Sequence, residues 1–289
     1  MRSTYKGNIF ALFALIFSTL LVPIAIDIFG RENFDGFYPK FSLSFMAYAV
    51  PVIIFFIISK DVMLKDVLSL KALPLRDILC LCAIGLFIQP LLLIISALSS
   101  LISPNNVPAA IQSYSTISFW QTFAIIAFLP GIMEEIIFRG IILSNYKNVP
   151  FKQTAVVTGF IFAMAHSDLQ QFPYTFIMGM LFVFLVHRSG SILASIVPHI
   201  IINAVQSLIG YSAFASAPTR LVAITADTLT YILTSPVGML FSVTIFCFAI
   251  SIFNRTYPAK VLEIQERDNP INLPLIAIVG YYIFAIMFI

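Results

Sequence analysis

Apolar stretches of about 20 residues, the length a helix needs to cross a bilayer, recur along almost the whole of this 289-residue chain. A window of about 19 residues places candidate spans near 9–29, 41–59, 77–99, 117–143, 154–170, 172–187, 191–210, 230–252 and 272–289. Within 154–187 two readings stand, two short helices or one broken helix, with Gln170, Gln171, Phe172 and Pro173 marking the turn. The polar complement agrees. Charged residues make up 10% of the chain, against about 25% in a soluble domain, too few to cover a globular surface. A hydrophobic share of 60% and a mean hydropathy of +1.00 exclude a soluble fold and a disordered tail. A net charge of +3, dispersed along the chain, is no footprint for nucleic acid. The expected architecture is an all-α polytopic integral membrane protein of about eight or nine transmembrane helices. Residues 1–289 read as a single membrane domain, without repeats or a soluble module.

Cys80, Cys82 and Cys247 lie inside apolar runs, with no zinc or disulfide spacing, and read as buried thiols. Arg2 and Lys6 precede an apolar run too long for a signal-peptide core, so the first span is expected to be retained. Loop charges give an orientation. Twelve Lys and Arg, among them Arg2, Lys6, Lys60, Lys147, Lys260 and Arg267, fall on one side, and only Arg31, Lys40 and Arg220 on the other. By the positive-inside rule this puts the N-terminus in the cytoplasm. The 60–76 segment carries an apolar face (Val62, Met63, Val67, Leu70) beside Lys60, Lys65 and Lys71. It reads equally as a short interfacial helix or a solvated loop.

The exceptions to apolarity carry the chemistry. The fourth span contains Glu134, Glu135 and Arg139. Each ionised group near the bilayer centre costs about 2.5–3.5 kcal/mol on insertion scales. Glu135 and Arg139, at i and i+4, share a face and can pair. Glu134 is turned about 100° from Glu135, so a structural ion pair leaves it unexplained. It is the carboxylate free to act as a general base.

Two of the three histidines fall inside spans, whereas His187 adjoins Arg188 at a span end and reads as a solvated interfacial residue. His166 follows Phe162 at i+4 on the face of a small-residue stripe, Ala155, Gly159 and Ala163, that lets another helix approach closely. Pairing with a neighbouring helix is the simpler alternative for a lone histidine there. His199 and Asn203 also share a face, and both are donors suited to an oxyanion. Measured from the cytoplasmic ends at 1.5 Å per residue, Glu134 lies roughly 15 Å deep, His166 about 20 Å, His199 about 12 Å and Asn203 about 18 Å. Three helices therefore bring polar groups to one layer.

These residues resemble the CAAX prenyl protease and bacteriocin-processing family, also called type II CAAX prenyl endopeptidases. Its E-E-x-x-x-R motif matches Glu134, Glu135 and Arg139, its F-x-x-x-H motif Phe162 and His166, and its H-x-x-x-N motif His199 and Asn203. The resemblance covers roughly 117–210; the flanking spans, 1–116 and 211–289, carry no diagnostic motif. It implies an intramembrane endopeptidase acting on CAAX-type prenylated or other membrane-associated peptides. Glu134 and His166 would bind and activate a water, His199 and Asn203 would form the oxyanion hole, and Glu135, Arg139 and Phe162 would support the site or the substrate. It implies no cofactor and no metal. The partners implied are a peptide or protein substrate, lipidated in some members, and the bilayer, with no nucleic acid. A prokaryotic plasma membrane is the expected location, with the endoplasmic reticulum as the alternative.

Three rivals remain. Two histidines and a glutamate are a plausible zinc set with an open position, but there is no H-E-x-x-H and the ligands would come from three helices. A non-catalytic bacteriocin-immunity or scaffold protein of the same family is the second. The third, a transporter or proton relay, lacks the inverted repeat and paired broken helices of such folds.

Overall fold

The computed structural model describes residues 3–60, 63–215, 218–258 and 268–288. Arg2, Lys260 and Arg267 of the charge count, and Val62 of the 60–76 face, lie outside them. The described residues contain helices and no strand. In chain order these are α1 (Ser3–Phe29), a 3₁₀ turn (Arg31–Phe34), α2 (Phe37–Ile58), the single turn α3 (Leu64–Val67), α4 (Leu75–Phe87), α5 (Gln89–Ser99) and α6 (Val107–Gln112). A continuous helical segment over 119–142 follows. It is built of α7 (Phe119–Phe123), a π-helical stretch (Ala124–Phe128), α8 (Leu129–Glu135) and a second π stretch (Ile136–Ile142). The chain closes with α9 (Phe151–Met164), α10 (Phe172–Ser189), α11 (Leu193–Phe214), α12 (Arg220–Thr234), α13 (Pro236–Thr256) and α14 (Leu273–Phe288).

Among the described residues six helices are long and apolar enough to span a membrane: Thr4–Phe29, Phe37–Ile58, Leu75–Ser99, Phe172–Ser189, Leu193–Phe214 and Pro236–Thr256. Phe151–Met164 and Leu273–Met287 are apolar but shorter. The protein is an all-α, multi-pass membrane protein. The uncertain 154–187 region is two helices, α9 and α10, joined by a turn at 165–171.

One expectation needs correction, and an open one is resolved. The apolar window at 230–252 crosses a helix boundary, because Ser235 Oγ accepts from Gly238 N (3.2 Å) and Pro236 opens α13. A serine cap followed by proline starts a new helix whatever the hydropathy around it. Among its described residues the 60–76 segment follows the loop reading: apart from the one turn of α3 it is irregular up to the start of α4, and Met63, Lys65, Ser69, Leu70 and Lys71 are exposed while Val67 alone is buried, at 4% exposure. Its backbone is tied to the start of α11, where Ser69 O accepts from Ile192 N (3.0 Å) and Lys71 O accepts from Ser191 Oγ. Backbone groups that lack helical partners find them at the start of α11 instead.

α11 is the centre of the bundle, packed against α4, α8, α10, α12 and the 124–128 stretch. Small residues set how closely these helices approach, as expected where lipid supplies no hydrophobic drive between helices. A Cβ on Gly85 would lie 2.8 Å from Pro198 Cα, and one on Gly131 would lie 2.5 Å from Ile200 Cγ1. Gly85 and Gly131 thus press α4 and α8 onto the turn of α11 that carries His199. The α9–α10 hairpin uses the same device. The Ala155–Gly159–Ala163 stripe faces α10 at Gly179, whose Cβ would meet Gly159 Cα at 2.8 Å.

Candidate active site

The two glutamates sit at the junction between α8 and the second π stretch. π turns are uncommon and concentrate at functional sites because they re-aim side chains along one face. Here the widened turn begins immediately after Glu135. It carries Arg139 to the same side, with Arg139 NH1 donating to Glu135 Oε1 at 3.0 Å. Both side chains are within 1% of complete burial. Glu135 Oε1 also accepts from His199 Nδ1 at 2.8 Å. One carboxylate oxygen therefore ties the π turn to α11.

Arg139 is held on several sides. Its NH2 donates to the Gly179 carbonyl (3.1 Å). The guanidinium lies 4.3 Å from the Phe162 ring centroid and 5.0 Å from that of Phe182. Such stacking on aromatic faces is a property of arginine that lysine does not share. Phe162 is fully buried and lies edge-on to His166 (5.0 Å, 76°) and to His199 (5.9 Å, 83°). Phe182 stacks on His199 at 5.0 Å and 30°.

Glu134 points elsewhere, as its position one residue before the paired carboxylate requires. Its Oε1 accepts from the Tyr48 hydroxyl of α2 at 2.9 Å. Its Oε2 is buried with no hydrogen-bond partner among the described residues, and lies 3.8 Å from His199 Nε2. Glu134 and His166 line one cavity of about 260 Å³, walled by α1, α2, the second π stretch and α9. Ala14, Ser18, Ser44, Ala47 and Tyr48 contribute small and hydroxylic surface to that wall.

His166 sits where α9 ends. Its Nδ1 is 3.0 Å from the Phe162 carbonyl. A carbonyl only accepts, so Nδ1 carries the proton, and Nε2 of the neutral ring is left with its lone pair. The next residue, Ser167, adopts a left-handed φ of 49°. That conformation is uncommon outside glycine and typical of functional turns. Asp168 Oδ1 then accepts from Gln170 N (2.8 Å) and Gln171 N (3.2 Å). Gln170, fully buried, anchors the turn to α5 by donating to Ser96 O (3.0 Å) and Ser96 Oγ (2.7 Å).

The fold thus brings Glu134, Glu135, Arg139, Phe162 and His199 into contact and sets His166 on the shared cavity. Asn203 lies one turn beyond His199 on α11, where its Nδ2 is 3.4 Å from Ile126 O of the first π stretch. Neither His199 nor Asn203 is part of the cavity lining. His187 is half-buried and stacked on Phe151 at 4.6 Å, which corrects its reading as a solvated residue. Among the described residues no group of three His, Cys, Asp or Glu is arranged to hold a metal ion.

Tyr48, Phe182 and Gly179 escaped the sequence reading. A tyrosine in the middle of an apolar span was a readable signal for Tyr48, because a buried hydroxyl seeks a partner. Nothing local marked the Gly179 carbonyl as a partner for Arg139.

No curated protein and no solved structure matches the chain. Residues 116–205, which include the three motifs, match the family model described as type II CAAX prenyl endopeptidase Rce1-like. Over those residues, less than half of the chain, the protein is similar to the Rce1-like type II CAAX prenyl endopeptidases.

Proposed function

We propose that this protein is an intramembrane endopeptidase in which Glu134 acts as general base on a water held between it and His166. The observation that carries this reading is the separation of the two glutamates. Glu135 accepts from Arg139 and His199 through Oε1, and although its Oε2 also lacks a hydrogen-bond partner among the described residues, Glu135 does not line the cavity. Glu134 keeps one oxygen without a hydrogen-bond partner on a cavity that also holds His166. A water has two protons to donate and these are two acceptors, so it binds with its lone pairs directed at the substrate carbonyl.

Glu134 takes one proton as the water oxygen attacks the scissile carbonyl, giving a tetrahedral oxyanion. That proton then goes to the leaving amine as the C–N bond breaks, leaving a carboxylic acid and a free amine. His199 is the oxyanion donor in this scheme. Because its Nδ1 already donates to Glu135, donation from Nε2 requires the imidazolium. Two cations, His199 and Arg139, then balance Glu134 and Glu135 within the site. Asn203 joins as a second donor when the amide leaves Ile126 O, a contact already long at 3.4 Å. Phe162 and Arg139 fix the rings and carboxylates in place.

The substrate class we propose is a prenylated peptide with a CAAX-type C-terminus. The family match and the placement of the cavity among apolar helices support it. The twelve-to-three bias of Lys and Arg supports a site opening toward the cytoplasm, and the membrane we propose is a prokaryotic plasma membrane. The test is incubation of the purified full chain with farnesylated and unmodified versions of one CAAX peptide, with products identified by mass. Release of the last three residues from the farnesylated peptide alone is the expected result. Equal cleavage of both would remove prenyl recognition. Cleavage of neither by folded protein would favour an immunity or scaffold role for the same fold. Loss of cleavage on chelation, restored by zinc, would favour the metal-dependent variant.

A further inference from the structure

A second and larger recess, about 960 Å³, opens between the N-terminal part of α1, the C-terminal end of α2 and the residues following the second π stretch. It shares no lining residue with the Glu134 cavity. Its size is at the upper end of the roughly 300–1,000 Å³ of ligand sites. Its walls are apolar, formed by Ile9, Phe10, Phe13, Ile54, Phe55 and Ile58. Ile9 and Ile58 are 42% and 76% exposed, so the recess is open along a face where lipid tails lie. Its polar rim is cationic: Lys6, Lys60 and Lys147 come from three different parts of the chain, and among the described residues no acidic side chain lines the recess.

The convergence is built by packing. Gly7, next to Lys6, brings α1 so close to the 143–147 segment that a Cβ there would lie 2.9 Å from Asn145 Cβ. The three ammonium groups are exposed and form no hydrogen bond or ion pair with any described residue. Some basic groups elsewhere are engaged, such as Lys40, which donates to Ser113 O, and Arg188, which donates to Tyr257 O; what sets the three lysines apart is their convergence on one recess. An apolar slot beneath three unpaired cations is complementary to an amphiphile with an anionic head.

We infer that this recess is a binding site for an anionic phospholipid, its phosphate among Lys6, Lys60 and Lys147 and its acyl chains along Phe13, Ile54 and Ile58. Basic pockets between helices at a membrane surface select anionic headgroups on this electrostatic ground. The inference does not depend on the peptidase reading.

The test is native mass spectrometry of the detergent-solubilised full chain with phosphatidylglycerol or phosphatidylcholine added. Phosphatidylglycerol is expected to remain bound at about tenfold lower concentration than phosphatidylcholine. Each of Lys6→Gln, Lys60→Gln and Lys147→Gln should weaken it roughly fivefold and the triple variant roughly a hundredfold, at about one lysine's worth of surface attraction each. A triple variant of equal charge loss elsewhere, Lys71→Gln, Lys152→Gln and Arg255→Gln, should leave it unchanged. Equal retention of the two lipids would overturn the inference, as would equal weakening by both triple variants. So would a recess triple variant that keeps its lipid but loses an anionic peptide substrate.

Discussion

His199 and Glu135 meet through Nδ1 and Oε1 at 2.8 Å, and both side chains are withdrawn from solvent, at 2% and 0% exposure. The same Glu135 oxygen holds Arg139. A charge cluster this deep survives only when each member is compensated, because an unpaired ion in a low-dielectric interior carries a desolvation penalty of several kcal/mol. Glu135 thus serves as the post on which the site is hung. It fixes the orientation of the His199 ring and is itself absent from the cavity that Glu134 lines.

Removing both members of the ion pair should therefore cost less than the sum of removing each alone. Glu135→Gln is expected to cost about 3–5 kcal/mol in stability, since Arg139 is left uncompensated. In the double variant Glu135→Gln/Arg139→Gln the cost should fall short of the sum by about 0.5–3 kcal/mol. Denaturation of the four proteins in one detergent closes the cycle. Strict additivity would mean that the pair does not interact as described.

Tyr48 donates to Glu134 from a helix that contributes none of the three motifs. Tyr48→Phe removes that donor and little else. It should lower kcat by about 10- to 100-fold, the worth of one hydrogen bond to a charged group, with KM and melting temperature nearly unchanged. A rise in KM at constant kcat would place Tyr48 in substrate binding instead.

Much of the architecture was legible before any coordinates. Apolar runs of spanning length gave the helices their approximate places. The i, i+4 spacing of Glu135 and Arg139 gave their ion pair, and the small-residue stripe on α9 gave a close helix contact. Two kinds of feature were hidden. Helix boundaries inside continuous apolar sequence, such as that at Ser235 and Pro236, are set by capping and not by hydropathy. Contacts distant in sequence, such as Tyr48 with Glu134 or Ser69 with Ile192, depend on which helices become neighbours. The π stretches belong to the second group. They are tertiary accommodations, and no local pattern around Glu134 announces them.

The Gly159–Gly179 contact yields a prediction in which packing and site move together. A Cβ at Gly179 would lie 2.8 Å from Gly159 Cα and 3.0 Å from its carbonyl oxygen, both backbone atoms that have little room to yield. Gly179→Val should destabilise the protein by about 1–3 kcal/mol through overpacking. It should also lower kcat, because the Gly179 carbonyl is a partner of Arg139. Stability and turnover measured on one preparation check both effects. A valine that is tolerated without loss of either would contradict the close approach of α9 and α10.

The assignment of Glu134 as the base is tested most directly by turnover of Glu134→Gln on a farnesylated CAAX peptide, with substrate affinity and melting temperature measured alongside. Glutamine keeps the size and the Tyr48 contact but cannot take a proton. Cleavage is expected to fall by about 10²–10⁴-fold, the usual worth of a positioned general base. Affinity and melting temperature should stay near those of the wild type, and chelator should have no effect on wild-type turnover. Cleavage by the variant within tenfold of the wild-type rate, from a protein that melts and binds normally, would contradict the account.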